Sequence, residues 1–190
     1  MSHELWRCFV AVPIADGLRT ALADELAGWR ERPDLSGLRW ADPAAWHVTL
    51  AFIGSIDAAT VADLADALAS VGDEEEPITL ACGGLGAFPS ASHARVAWYG
   101  VADPEAQFRN LAKRTRRAVG VPAHQPFRPH VTLARARPQP VDLRGWVAEA
   151  ASPVGTLVVD RLHLMRSHLG SGPARYETIA SVPLRATSHV

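Results

Sequence analysis

The sequence predicts an α+β protein built largely from antiparallel sheets. Apolar, β-branched runs typical of strands alternate along the chain with segments whose apolar residues recur at helical spacing, and turn residues separate them. The tetrapeptide His-Val-Thr-Leu occurs at His47–Leu50 and again at His130–Leu133, at similar places in the two halves of the chain. We therefore predict an internal pseudo-repeat.

The first half is predicted to contain three strands and two helices. Its first strand is an apolar run that ends near a proline, and the helix that follows carries leucines and a tryptophan on one face. An Asp-Pro pair separates a short strand from the first motif strand, and Asp57 is placed to cap the second helix. The predicted elements are strand 7–14, helix 16–30, strand 38–41, strand 46–53 and a helix from Asp57 to about Val71.

The second half repeats this rhythm with more strands. Two apolar runs flank a turn-rich segment, an Asp-Pro pair starts a helix, and a weaker helical pattern follows the second motif. The predicted elements are strands 78–88 and 94–101, a helix from Asp103, strand 130–134, helix 141–150, and strands 156–167 and 174–184 around a turn at 170–172. One face of the helix from Asp103 is basic, and it is either a solvated surface or a phosphate-steering one; its residues are Arg109, Lys113, Arg116 and Arg117.

Composition excludes several classes of protein. With 190 residues, 48% apolar and 21% charged, the chain is an ordinary globular sequence, and its net charge of −1 argues against non-specific duplex binding. A pocket for a single phosphate at a nucleic-acid end stays possible. No bilayer-spanning stretch or secretory signal is visible, and Cys8 and Cys82 lack CxxC spacing. We expect a cytoplasmic monomer with no membrane contact and no obligate protein partner.

The two motifs are the candidate functional site. Successive side chains of a strand point to opposite faces, so His47 and Thr49 share one face, as do His130 and Thr132, while each Val/Leu pair faces the core. A lone strand histidine is usually structural. Packing alone, however, has no need to repeat both polar residues, and we expect the two pairs to converge on one polar group.

The flanks of the motifs carry a family resemblance. The segments 7–13, 38–40, 47–54, 84–90 and 127–135 resemble the 2H phosphoesterases, and more specifically the RNA 2′,3′-cyclic phosphodiesterases, also known as 2′-5′ RNA ligases. The resemblance implies one bilobal domain over residues 1–190, with two pseudo-twofold-related lobes of antiparallel sheet, helices outside, and a central cleft holding one motif per lobe. It also implies hydrolysis of RNA 2′,3′-cyclic phosphate ends to 2′-phosphomonoesters, with His47 as proton donor and His130 as proton acceptor.

The residue types suit that chemistry without a metal. An imidazole populates both protonation states near neutrality, and a threonine hydroxyl donates hydrogen bonds to phosphate oxygens. No His-x-His, Asp/Glu cluster or HExxH pattern supports metal binding by the motif histidines, so we predict no metal and no cofactor. The remaining histidines lack a hydroxyl partner at motif spacing and receive no catalytic role; they are His3, His93, His124, His163, His168 and His189.

The residues just after each motif are harder to place. Ala51 and Ala134 are expected on the His/Thr face, leaving space for a phosphate. The resemblance suggests that Phe52 stacks on the base and that Arg135 binds phosphate. Strict alternation puts both on the Val/Leu face instead, so they reach the ligand only if the strands bulge, twist or end. Core packing is the competing interpretation for Phe52, whereas burial of Arg135 is costly.

Two alternatives to the leading hypothesis stay open. The first is a related activity, namely 2′-5′ RNA ligation or the hydrolysis of small cyclic or 2′-5′-linked nucleotides. The second is a non-catalytic nucleotide-binding module that keeps the pocket without turnover. Intact His and Thr residues in both motifs argue against the second.

Overall fold

The computed structural model describes residues 4–122, 126–149, 153–168 and 174–185. Their helices and strands follow the predicted order closely. The elements are β1 (Leu5–Pro13), α1 (Asp16–Arg30), β2 (Leu38–Trp40), β3 (His47–Asp57), α2 (Val61–Glu74), β4 (Ile78–Phe88), β5 (Val96–Val101), α3 (Gln107–Ala118), β6 (His130–Ala136), α4 (Arg144–Ala148), β7 (Gly155–Val159), β8 (Arg161–His168) and β9 (Arg175–Pro183).

The strands form one curled antiparallel sheet with two matching halves. Its order is β7-β4-β5-β6-β3-β1-β8-β9, and β2 adds to β6. The two motif strands, β3 and β6, are neighbours in the centre and pair antiparallel at Val48 and Val131. Outward from this pair lie β1, β8 and β9 on one side and β5, β4 and β7 on the other. The prediction of an α+β fold with antiparallel sheets and a pseudo-repeat is confirmed.

The helices cover the apolar face of the sheet and leave the His/Thr face open. The apolar stripe predicted for α1 is buried, with Leu22 and Leu26 almost fully excluded from solvent. Phe108 and Leu111 of α3 join the same core. Val48 and Val131 are also fully buried, whereas their polar neighbours in the motifs are half-exposed. The motif strands therefore have one core face and one accessible face, as alternation requires.

Local capping explains where two helices begin. Asp57 accepts the N–H of Ala59 and caps a 3-10 turn that leads into α2. The buried carboxylate of Asp103 accepts the N–H groups of Phe108 and Arg109, so α3 begins at Gln107, a few residues later than predicted. None of the helices in the described ranges is long and apolar enough to span a membrane.

One predicted strand was wrong. Residues 156–167 form two strands, β7 and β8, that break at Asp160 and belong to opposite halves: β7 pairs with β4, and β8 pairs with β1 and β9. The sequence there is apolar on both sides of Asp160, with no glycine or proline to mark the crossing. The predicted helix 141–150 is a single short helix, α4, and residue 150 and the turn at 170–172 lie outside the described residues.

Candidate active site

The four motif residues meet at the centre of the sheet. Because β3 and β6 run antiparallel through the Val48–Val131 pair, His47 lies toward Thr132 and His130 lies toward Thr49. Side chains on either side of a paired residue point away from that residue's face. The register thus brings both histidines and both threonines onto one face, at the junction of the two halves.

Each motif strand contains a β-bulge directly after its threonine. Along β1, Ala11 pairs with Thr49 but Val10 pairs with Ala51, so Leu50 has no partner. Along β5, Trp98 pairs with Thr132 but Ala97 pairs with Ala134, so Leu133 has none. An extra residue of this kind inverts the alternation of the side chains that follow.

The bulges decide where the fifth residue after each histidine points. Phe9 and Ala11 share a face of β1, and their partners are Phe52 and Thr49, so Phe52 lies on the same face as Thr49. By the same argument on β5, Arg135 lies on the same face as Thr132. The phenyl ring of Phe52 is 69% exposed, which excludes core packing.

The same inversion overturns one expectation. Ala51 and Ala134 were expected on the His/Thr face, but both are almost fully buried in the hydrophobic core. The bulge turns their methyl groups away from the cleft. Any space for a phosphate is therefore bounded by the histidines, the threonines and the residues after the bulges.

The carbonyl of each bulged residue has a partner, and the partners differ between the halves. The Leu133 carbonyl accepts the backbone N–H of Ala41, which directly follows β2. Among the residues that the structure describes, no strand lies at the equivalent place beside β3. There the Leu50 carbonyl accepts a hydrogen bond of 2.9 Å from Nε of Arg116 on α3. The guanidinium carbon of Arg116 also lies 5.4 Å from the ring centroid of Phe127. The basic face of α3 is therefore not purely solvated.

Both histidines are oriented in the same way. Nδ1 of His47 lies 2.8 Å from the carbonyl oxygen of Ala45, and Nδ1 of His130 lies 2.6 Å from that of Arg128. A carbonyl only accepts, so Nδ1 carries the proton in each neutral ring. Nε2 is left as the nitrogen that exchanges a proton with a ligand.

The environment favours the neutral form of both rings. Burial lowers the pKa of His47, as do the charges of His130 and Arg135, while the Ala45 carbonyl opposes them. Burial likewise lowers the pKa of His130, with a further lowering by Arg135 and an opposing effect of the Arg128 carbonyl. Arg135 thus acts electrostatically on both histidines.

Each motif histidine packs against two aromatic rings. The sequence patterns did not assign these aromatic residues to the site. The His47 ring centroid is 5.0 Å from that of Phe9 and 5.1 Å from that of Tyr176. The His130 centroid is 5.0 Å from Phe88 and 5.9 Å from Trp98. These residues come from β1 and β9 in one half and from β4 and β5 in the other, and the strand order and register bring them to the motifs.

Two residues that flank the motif histidines have structural roles. Trp46 is buried in the core, and Arg128 contributes its backbone carbonyl to His130. His168 pairs with Glu177 at the surface, and His3, His124 and His189 lie outside the described residues. Across the part of the chain that is described, no group of three or more His, Cys, Asp or Glu side chains is arranged to hold a metal ion.

Comparisons with known proteins show which sequences and folds this chain is similar to. The model of the family described as LigT like Phosphoesterase matches residues 15–98 and 100–175. The RNA 2′,3′-cyclic phosphodiesterase of Geobacillus stearothermophilus is 34% identical over 185 residues, covering 93% of this chain and 56% of its own length. This chain therefore spans little more than half of that relative.

Two further relatives are matched over most of their length. The RNA 2′,3′-cyclic phosphodiesterase of Aeropyrum pernix is 33% identical over 152 residues, which are 76% of this chain and 85% of that protein. A crystal structure of a protein from Thermus thermophilus superposes with a TM-score of 0.76 at 28% identity, covering 95% of this chain and 99% of the other.

Proposed function

The chain belongs to the LigT-like phosphoesterase family, and on that premise we propose that it hydrolyses 2′,3′-cyclic phosphodiesters at RNA ends. The observation that carries the proposal is the pair of identically anchored histidines beside two threonines on one face, at the junction of two matching half-sheets. Relatives named RNA 2′,3′-cyclic phosphodiesterase support the substrate class. We further propose that the two halves act as one catalytic domain, because each supplies half of the site.

Opening the ring requires two proton transfers on opposite sides of phosphorus. A water must lose a proton as it attacks, and the departing ribose oxygen must gain one. Nε2 of His47 and Nε2 of His130 supply these two positions from adjacent strands. Following the family resemblance, His47 protonates the leaving 3′ oxygen and His130 deprotonates the water, which leaves a 2′-phosphomonoester.

The lowered pKa of His130 suits a base, whereas His47 can act as an acid only once the bound substrate has raised its pKa. A neutral His130 accepts a proton from water without first losing one of its own. A bound phosphodiester carries a negative charge, and an anion beside an imidazole raises its pKa. Binding of the substrate therefore promotes protonation of His47, and the acid is charged when it is needed.

The other residues of this face bind and orient the substrate. The hydroxyls of Thr49 and Thr132 donate hydrogen bonds to the non-bridging phosphate oxygens, where charge develops in the transition state. The guanidinium of Arg135 neutralises the phosphate, and its lowering of both histidine pKa values supports a position near the reacting centre. The exposed ring of Phe52 lies 6.3 Å from that of Phe9 and offers a face for base stacking.

The test is hydrolysis of an oligonucleotide that ends in a 2′,3′-cyclic phosphate, assayed in EDTA because the scheme uses no metal. We expect turnover, with a 2′-phosphomonoester as the product on end-group analysis. A 3′-phosphomonoester would show that the 2′ oxygen departs, which contradicts the proposed cleavage of the bond to the 3′ oxygen. Joining to a 5′-hydroxyl end would identify ligation as the main activity, and tight nucleotide binding without turnover would identify a binding module.

A further inference from the structure

An unusual pair of arginines lies next to the candidate active site. Arg39 of β2 and Arg135 of β6 are direct cross-strand partners. Directly opposed residues in an antiparallel pair point to the same face with Cβ atoms about 5 Å apart, and like charges there are destabilising. Both side chains are exposed, and the buried residues Leu38 and Ala136 on the opposite face confirm the alternation.

No acidic side chain in the described residues compensates this repulsion. Neither guanidinium forms an ion pair with a carboxylate there. The acidic residues that flank β2 in sequence are used elsewhere: Asp34 binds Arg32, and Asp42 accepts the N–H of Ala44. Two unneutralised cations held side by side are a ready site for an anion.

Arg39 extends the positive charge beside the motifs onto a second strand. Arg135 lies on the same face as His130 and Thr132, and its charge lowers the pKa of both motif histidines. Arg39 lies opposite Arg135 on β2, which pairs with β6 beyond the bulge. Within the described residues β2 pairs with β6 and not with β3, so the arginine pair extends the positive charge on the β6 side of the cleft.

We propose that Arg39 binds the backbone phosphodiester that precedes the terminal cyclic phosphate of the RNA, beside Arg135 on the cyclic phosphate itself. A planar guanidinium binds phosphate oxygens bidentately, and two adjacent ones are suited to successive phosphates of a single strand. The inference rests on the proposed function and adds to it that the substrate is an oligonucleotide. A cyclic mononucleotide fills the reacting site but leaves the Arg39 subsite empty.

The kinetic test compares a 2′,3′-cyclic mononucleotide with a dinucleotide that ends in the same cyclic nucleotide. The wild type should prefer the dinucleotide, and Arg39→Gln should lower the dinucleotide-to-mononucleotide ratio of kcat/KM about tenfold, as expected for one charged contact. The slope of log kcat/KM against log salt for the dinucleotide should become shallower by about 0.7. Because the substitution relieves repulsion, it should not lower Tm.

Arg185→Gln is the matched control, because it removes the same charge from an exposed position after β9, where the backbone of Arg185 bonds the end of α2. It should leave the dinucleotide-to-mononucleotide ratio unchanged. A ratio that does not change in Arg39→Gln, or that falls equally in Arg185→Gln, would overturn the subsite.

A binding arm separates failure of the subsite from failure of the proposed function. Calorimetry measures Kd for the 2′-phosphorylated mononucleotide and dinucleotide. The preference of the wild type for the dinucleotide should fall about tenfold in Arg39→Gln, as in the kinetic test. If the wild type hydrolyses neither cyclic substrate but this difference is present, the subsite stands and the proposed activity fails. If hydrolysis occurs and neither arm depends on Arg39, the activity stands and the subsite fails.

Discussion

Arg116 is expected to control how Phe52 is presented to the substrate. Its Nε donates to the carbonyl of Leu50, the extra residue of the β3 bulge, and that bulge turns Phe52 onto the His/Thr face. The equivalent carbonyl in the other half is satisfied by the backbone, so only this bulge depends on a side chain. We expect Arg116→Leu to destabilise the protein and to loosen Phe52.

The magnitude follows from two of the contacts that Arg116 loses. A hydrogen bond from a charged donor contributes about 1.5–3 kcal/mol, and a partly exposed cation–π contact of the kind made with Phe127 about 0.5–1 kcal/mol. Because Arg116 is only half-buried, water replaces part of the hydrogen bond, and we expect a loss of about 2 kcal/mol. For a chain of this length, that corresponds to a fall in Tm of about 4–8 °C.

The assay is thermal unfolding together with a double-mutant cycle on KM for a cyclic-phosphate oligonucleotide. Arg116→Leu and Phe52→Ala should each raise KM, and the double variant should be little worse than the worse single one, because both lose the same stacking contact. Arg117→Leu serves as the control. Multiplicative effects on KM, or a Tm that falls no further than in the control, would refute the link between the bulge and Phe52.

The remaining predictions concern protonation and packing. With the pKa of both motif histidines lowered in the free protein, kcat/KM requires one protonated and one neutral ring, so its pH optimum should lie below the ordinary histidine value of about 6.5. An alkaline optimum in the wild type would contradict the lowered pKa values. Arg135→Gln removes a charge that lowers the pKa of both histidines, so both the acidic and the basic limb of the pH profile should move to higher pH. A Cβ on Gly86 would lie 2.1 Å from the indole of Trp98, so Gly86→Ala should cost about 1–3 kcal/mol and reduce kcat by displacing the ring beside the second histidine. Gly28→Ala, with no atom within 4 Å of its Cβ, should leave Tm unchanged or slightly higher, and equal effects of the two substitutions on Tm and kcat would count against the packing argument.

Sequence periodicity predicted which motif residues are buried and which are accessible. Alternation within a strand is a local property, and it correctly separated His47 and Thr49 from the buried Val48. It failed at the bulge, because an extra residue leaves no mark in apolar sequence. For that reason Ala51 was expected in the cleft but is buried. Alternation placed Phe52 on the Val/Leu face, whereas it is exposed on the His/Thr face.

Long-range pairing accounts for what the sequence left out. Tyr176 reaches His47 only because β9 pairs with β8 and β8 pairs with β1, and no local pattern encodes that order. The break at Asp160 was missed for the same reason, since a strand that ends by crossing to another part of the sheet looks like one that continues. The Arg39–Arg135 pair likewise emerges only from the register of β2 on β6.

The most direct test of the account is kcat for a cyclic-phosphate oligonucleotide, measured in EDTA with His47→Ala, His130→Ala and the double variant. If the two histidines act as one acid–base pair on a single phosphate, each substitution should lower kcat by about 10²–10⁴-fold. The double variant should then be little slower than the worse single one, because groups that act as a unit are not additive. Near-wild-type kcat in either single variant, or a double variant slowed by the product of the two effects, would contradict the account.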